Sequence, residues 1–391
     1  MMAALAASAS GRHTILLFER QQRPGRKLMA TGNGRCNLTN TAASPANYHG
    51  SRPGFSDAVL SRFTPQDTLD FFHALGLLTV EEYGGRVYPL SNSANSVLDV
   101  LRFALEAKGV ELRAASPVRE LRRRGKGYVL MTDEGEIFSD RVIVACGGAA
   151  GAKLGGVTDG YELLKSLGHS RTKLYPALVQ LTTEPEYPRA LKGVRADAKI
   201  RLLRGNALLA ESVGELQFTE RGVSGPAIFD LSRAASVDGT GAVLHIDLLH
   251  EYDTAQVFSL LKNRRQNLPE LESAQLLTGL LHNRLGRMLI KYARLPADLT
   301  IGKLSNAQLH SLAESLKSFE LKLTGTEGFD NAQVTVGGVK TEDFDPETLE
   351  SLRNPGLYAC GEVLDVDADC GGYNLQWAWA SGHAAGTAAA K

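Results

Sequence analysis

Gly356-Leu-Tyr-Ala-Cys-Gly361-Glu362-Val-Leu-Asp365-Val-Asp367-Ala-Asp-Cys-Gly371-Gly372-Tyr373-Asn374-Leu375-Gln376-Trp-Ala-Trp-Ala-Ser-Gly382 reads as a strand, an acidic glycine-rich loop and a helix in immediate succession. The apolar run Leu357–Cys360 delivers Gly361 and Glu362 from the end of a buried strand. The Gly371-Gly372 turn then opens a helix at Tyr373–Gln376. The first N–H groups of a helix lack partners within it and carry positive potential. An end of that kind suits a ring system that gains negative charge, such as an isoalloxazine at N1–C2=O during hydride transfer. Asp365 is placed to hold a ribityl hydroxyl. As a metal loop, Asp365, Asp367 and Asp369 lack the glycine and terminal glutamate spacing of a calcium site, so no metal is expected.

A strand and a helix alone do not make a sheet, and the partners lie at the other end of the chain. Residues 1–10 are Ala-rich and favour helix, and Ser10-Gly11 ends it. Thr14-Ile-Leu-Leu-Phe18 reads as a strand buried on both faces, closed by the acid Glu19. Helix, strand, acid is the second half of a βαβ dinucleotide-binding unit, in which a carboxylate about 20 residues after a Gly-rich turn takes the ribose hydroxyls. Counting back from Glu19 puts that turn at or before position 1. The first strand and the turn are therefore expected to be missing.

The stretch 23–40 reads as a loop dense in donors. Gly32, Asn33, Gly34, Arg35, Cys36 and Asn37 offer flexible backbone and polar side chains to a phosphate or flavin, and Arg26 and Lys27 offer charge to a pyrophosphate. Helices are expected over Phe63–Leu77 and Ala94–Ala107, the latter with Val97, Leu98, Leu101 and Leu105 on one face. Short strands follow around Val110–Arg113, Val118–Arg122, Tyr128–Thr132 and Ile137–Phe138, then Val142–Ala145 running into Gly147-Gly148. Such a meander before a last parallel strand is how two-dinucleotide flavoproteins build their FAD domain. Val118 and Gly147 are counted with the cofactor-binding residues. Beyond Leu174–Leu178 the texture turns β-rich, with few helical signals before residue 250. A polar, basic, helix-rich stretch spans residues 253–316.

Composition bounds the rest. The chain has 391 residues, 43% of them hydrophobic, and 43 Lys+Arg balance 43 Asp+Glu, the profile of a globular protein of two or more domains. Zero net charge argues against a nucleic-acid surface while leaving a local patch open. No apolar run is long enough to span a membrane, and four cysteines without framework spacing read as reduced thiols of a cytoplasmic protein.

The chain resembles a family of bacterial NAD(P)/FAD-dependent oxidoreductases, the aminoacetone-oxidase-like group related to the bile-acid-dehydroxylation flavoproteins. The motifs that carry the resemblance span nearly the whole chain: Gly25-Arg-Lys27 running into Thr31-Gly-Asn-Gly-Arg-Cys-Asn37, Tyr175-Pro-Ala-Leu178, Gly214-Glu-Leu-Gln-Phe-Thr219 with Val223-Ser-Gly-Pro-Ala227, Val336-Gly-Gly-Val339, and Gly361-Glu-Val-Leu-Asp365 with Gly371-Gly-Tyr-Asn-Leu-Gln-Trp-Ala-Trp379. It implies an α/β fold: a discontinuous Rossmann-like FAD-binding domain (1–178 and 330–391), a β-barrel-like insertion (179–252 and 317–329) and a helical insertion (253–316). It also implies that Glu19 binds the adenosine ribose, while the Gly32–Asn37 loop, Gly361, Glu362, Asn374, Leu375 and Gln376 line the flavin side. The family's G-G-G-x-x-G turn has no counterpart in these residues, so an N-terminal truncation is expected.

The function expected is hydride transfer through flavin N5 between a reduced nicotinamide, NAD(P)H, or a small organic substrate and an acceptor. No residue has the credentials of an obligatory acid or base, and Tyr373 and Cys36 are candidates only. Two alternatives stay open: an RNA-modifying or RNA-binding flavoprotein that uses the basic stretch Lys262–Arg294, and a non-catalytic remnant that has lost FAD. Substrate and oligomeric state are silent in the sequence.

Overall fold

The computed structural model describes residues 1–391, which divide into two compact units, Met1–Pro176 with Phe329–Lys391, and Ala177–Gly328. In the first unit the Ala-rich start forms the helix Met2–Ser8, with Met2, Ala3, Ala4, Leu5, Ala7 and Ser8 buried. Seven residues are too few for a helix to persist on propensity alone, so packing must hold it. The packing partner is the C-terminal helix Tyr373–Ala389. Gly386 of that helix meets the Met2–Ser8 backbone closely enough that a Cβ there would lie 2.2 Å from the Ala3 carbonyl oxygen. The two ends of the chain are thereby pressed together.

Four parallel strands lie in two pairs, not in one continuous sheet. Leu16–Phe18 pairs with Glu111–Arg113, and Val142–Val144 pairs with Leu357–Ala359. The N-terminal strand is shorter than its apolar run and only half-buried, because it is paired along one edge alone. The meander forms as three antiparallel strands, Val118–Arg124, Gly127–Thr132 and Gly135–Ser139, with the middle one buried. Ala94–Ala107 is a helix over the expected span and buries Val97, Leu98, Leu101 and Leu105. The stretch read as a loop contains the short helix Arg26–Ala30 and the 3-10 turn Thr31–Gly34.

The second unit is a closed six-stranded barrel in the order Leu181–Thr183, Gly222–Ser224, Ala207–Phe218, Arg195–Arg204, Val243–Asp247, Phe319–Thr326. One 13-residue helix, Pro226–Asp238, was not expected in this β-rich stretch. It starts at Gly225-Pro226, where proline occupies the first helical position and loses no hydrogen bond. The helices Thr254–Asn267, Asn283–Tyr292 and Asn306–Lys317 leave and rejoin the barrel between its last two strands. Capping boxes at Asp253 and Ser305 start two of them. Their apolar faces, including Leu261, Leu289 and Leu312, join the same core as Ile200, Leu216 and Phe319 of the barrel. The whole is an α/β chain: a discontinuous Rossmann-like domain carrying a barrel and helical insertion. No helix is long and apolar enough to cross a membrane.

Candidate cofactor site

Ligands of open α/β sheets gather at the carboxyl ends of the parallel strands, and three of the expected residues lie there. Glu19 follows Phe18, Gly147 follows the strand ending at Val144, and Gly361 follows the strand ending at Ala359. Glu19 accepts the Gln21 N–H through Oε1 at 2.7 Å, which leaves its other oxygen without a protein hydrogen bond.

The Arg26–Asn37 segment closes in from the side. Arg26 donates to Gln21 Oε1 (2.9 Å) and to the Lys153 carbonyl (3.0 Å). Lys27 Nζ pairs with Glu362 Oε2 at 2.5 Å, and Glu362 Oε1 accepts the Thr335 N–H at 2.6 Å. That half-buried ion pair joins the two glycine-rich loops. Gly32, Asn33 and Gly34 lie on the Thr31–Gly34 turn, with Asn33 and Gly34 exposed. Arg35 turns away: its guanidinium is taken by Glu82 and Asn92 and stacks 4.0 Å over the Tyr88 ring. Cys36 is fully buried, and burial pushes its thiol up to about 12, with a hydrogen bond to Thr31 opposing. A thiol held protonated in this way is a packing group, not a nucleophile. Asn37 is different. Its Oδ1 is buried without a hydrogen-bond partner, beside Gly372, where a Cβ would lie 2.9 Å from it and 2.5 Å from the Thr39 carbonyl. At φ 100°, Gly372 is the residue that lets the C-terminal helix begin there.

Along the C-terminal loop, Asp365 is buried and accepts from Ser51 through the hydroxyl (2.5 Å) and the N–H (3.2 Å). Asn374 folds back on the loop, accepting the Ala368 N–H at 3.0 Å and donating to its carbonyl at 2.8 Å. Leu375 is half-buried. Gln376 is wholly inside: its Oε1 accepts from Thr39 and Thr68, and its Nε2 donates to the Phe63 carbonyl. Its side chain is used up by the core, as that of Arg35 is by Glu82 and Asn92, so neither side chain is presented to a ligand. Val118 stands at the start of the meander, in backbone pairing with Thr132.

No sequence motif marks the segment that clasps this loop. His49 and Asn47 reach Asp369 at 2.8 and 3.1 Å, and Tyr48-His49 pairs with Asp367-Ala368. Tyr48 packs edge-on against Tyr373 at 6.4 Å, and its hydroxyl is buried without a partner. The Tyr161 hydroxyl is likewise buried and unpartnered, and its pKa is raised by burial first and by the charge of Glu362 second. Asn47-Tyr48-His49 and Tyr161 match no motif, and only the fold brings them here.

These residues fit an FAD. The Asn37 amide oxygen and the Tyr48 hydroxyl, both buried without protein partners, lie beside the glycine turn and the first residue of the C-terminal helix, as a polar ring system requires. The comparisons agree. A model of the "HI0933-like protein Rossmann domain" matches residues 1–388. A 3-dehydro-bile acid delta(4,6)-reductase of Clostridium scindens is 40% identical, over 100% of this chain and 96% of its own. A ribosomal RNA dihydrouridine synthase of Escherichia coli is 31% identical, over 97% and 93%. Among solved structures, 3-ketosteroid delta1-dehydrogenase from Sterolibacterium denitrificans shares the fold, with a TM-score of 0.50 at 13% identity, over 100% of this chain and 97% of that one. With the match running almost from end to end, the chain belongs to the HI0933-like Rossmann-domain family of FAD-binding oxidoreductases.

Proposed function

We propose that this protein is an FAD-dependent reductase that saturates a carbon–carbon double bond conjugated to a carbonyl, in a steroid-like ring system, with NAD(P)H as electron donor. The overall change balances as enone plus NAD(P)H plus a proton giving saturated ketone plus NAD(P)+. FAD, when bound, supplies the two-electron relay between donor and substrate. The residues of the chain bind, orient and neutralise. Glu19 has an oxygen for the adenosine ribose, and Arg26 and Lys27 carry charge for the pyrophosphate. Asp365 would hold a ribityl hydroxyl, and the Gly361-Glu362 turn would line the flavin. The start of the helix Tyr373–Ala389 and the Asn37 amide offer charge stabilisation and a hydrogen bond to the ring. A site of this kind works by positioning and electrostatics, with little covalent chemistry by side chains.

The observation that carries the reading is the unpartnered, buried Asn37 oxygen beside the first residues of the C-terminal helix. The choice of substrate rests on the 40% identity to the bile-acid reductase along the full chain. A second reading keeps the chemistry and changes the substrate to uridine in RNA, and the dihydrouridine synthase likeness favours it. The absorbance spectrum of the purified protein, followed by NAD(P)H oxidation with a 3-keto-Δ4 steroid or with unmodified RNA as acceptor, tests both. Flavin bands and steroid-dependent oxidation are expected. A colourless protein that does not take up added FAD overturns the cofactor, and oxidation with RNA alone moves the substrate.

A further inference from the structure

We infer that Arg86 is the fixed cation of the cofactor site, its guanidinium stabilising the negative charge that a bound flavin gains at N1–C2=O on reduction. The inference rests on the cofactor reading above and not on the choice of substrate. Arg86 opens the strand Arg86–Pro89 and is half-buried. It follows the tight turn Tyr83–Gly85, in which Gly84 and Gly85 take φ 75° and 74°. Asn40 ties that turn to the C-terminal loop, donating from Nδ2 to the Gly84 carbonyl at 3.1 Å and to the Gly371 carbonyl at 2.9 Å. Only a residue without a side chain allows so close an approach: a Cβ on Gly85 would lie 2.6 Å from Asn40 Oδ1. From this anchored start the Arg86 side chain reaches Gly371, where a Cβ would lie 3.6 Å from Arg86 Nε and 3.1 Å from the Tyr373 ring.

Charged groups withdrawn from water are usually paired. Arg86 has no ion-pair partner. Glu82, opposite it in the antiparallel strand pair, is taken by Arg35. Glu81 accepts from the Thr41 hydroxyl at 3.0 Å, and Asp369 is held by His49 and Asn47. None of the three bridges to Arg86. The neighbouring Tyr88 hydroxyl feels the result: burial raises its pKa, and the charge of Arg86, ahead of that of Arg35, opposes the rise. In a partly desolvated position such a charge acts far more strongly than it would in water.

The surroundings of one turn select the flavin as the group that this cation serves. Arg86 lies beside Gly371, and the unpartnered Asn37 oxygen lies beside Gly372, 2.9 Å from where a Cβ would stand. A cation and a free acceptor thus flank consecutive residues. The pyrimidine edge of an isoalloxazine meets both demands on adjacent atoms: N3–H is a donor for the Asn37 oxygen, and C2=O, conjugated to N1, is the oxygen that becomes anionic. A ketone substrate also develops an anionic oxygen, but it carries no N–H beside it and would leave the Asn37 acceptor buried and unpaired.

The midpoint potential of the flavin bound to the full chain, read from its absorbance during anaerobic reduction against a reference dye, tests this without substrate turnover. R86Q should lower the potential by about 30 mV, the two-electron equivalent of a tenfold weaker hold on the reduced cofactor, while oxidised FAD stays bound. R86K keeps the charge and should stay close to the wild type. R86M is a second neutral variant, and circular dichroism on all three separates lost charge from lost fold. An unchanged potential in a folded neutral variant, an equal fall in R86K, or loss of oxidised FAD from a folded neutral variant overturns the inference. A wild-type chain that takes up no FAD overturns the cofactor reading and this inference with it, before any variant is compared, so the two failures are told apart.

Discussion

Gln376 occupies the first turn of the C-terminal helix with no exposed surface, and its amide joins three segments distant in sequence: Thr39, Phe63 and Thr68. Gln376→Leu keeps the volume and removes every partner. Two hydroxyls and one carbonyl would be left buried without bonds, a cost of about 2–4 kcal/mol. Urea denaturation of the two proteins measures it, and an unchanged midpoint contradicts the network. Gln376 and Arg35 also show what a sequence conveys at this scale. Residue types and the nearby glycines were legible as polar groups beside a turn. The direction of each side chain was not, because it is set by partners such as Glu82 and Asn92 that only the fold brings close.

The C-terminal helix is the element that couples the site to the core. Gly386→Val would drive a branched side chain into the Ala3 backbone and push the Met2–Ser8 helix away. A loss of ~1–3 kcal/mol is expected, whereas Thr387→Val, on the exposed side one residue on, should stay within about 0.5 kcal/mol. Thermal melts of both variants decide between close packing and a merely adjacent helix. His383 on the same helix stacks on Phe63 at 4.6 Å, and desolvation lowers its pKa, with Asp67 opposing. A folded-state pKa below the unfolded value of about 6.5 means that only the unfolded chain takes up the proton as pH falls below that point. Stability is therefore lost on acidification, down to the folded-state pKa, and not on alkalinisation. Between pH 7.5 and 5.5 the urea midpoint of His383→Phe should fall less than that of the wild type. Elements with a strong apolar period, such as Ala94–Ala107, were legible from end to end. Pro226–Asp238 was not, because a helix surrounded by barrel strands is apolar or small on several sides and its period blurs into theirs.

At the scale of the molecule there are two apolar cores, one built around Leu101, Trp377 and Leu357 and one around Ile200, Leu289 and Phe319. The candidate cofactor residues all belong to the first unit. Calorimetry should resolve two unfolding transitions, and added FAD should raise only one, as mass action requires of a ligand bound to one unit. A single transition, or an equal rise in both, contradicts this. The barrel unit also begins and ends at one point: Leu181 is opposite Thr326 in the closing strand pair, and Glu327 donates its N–H to the Gln180 carbonyl. An insertion with adjoining entry and exit can be swapped as a cassette, since its host needs only a short splice to stay continuous. Evolution can in that way re-tailor the appended half of such a protein while the electron-carrying half stays untouched.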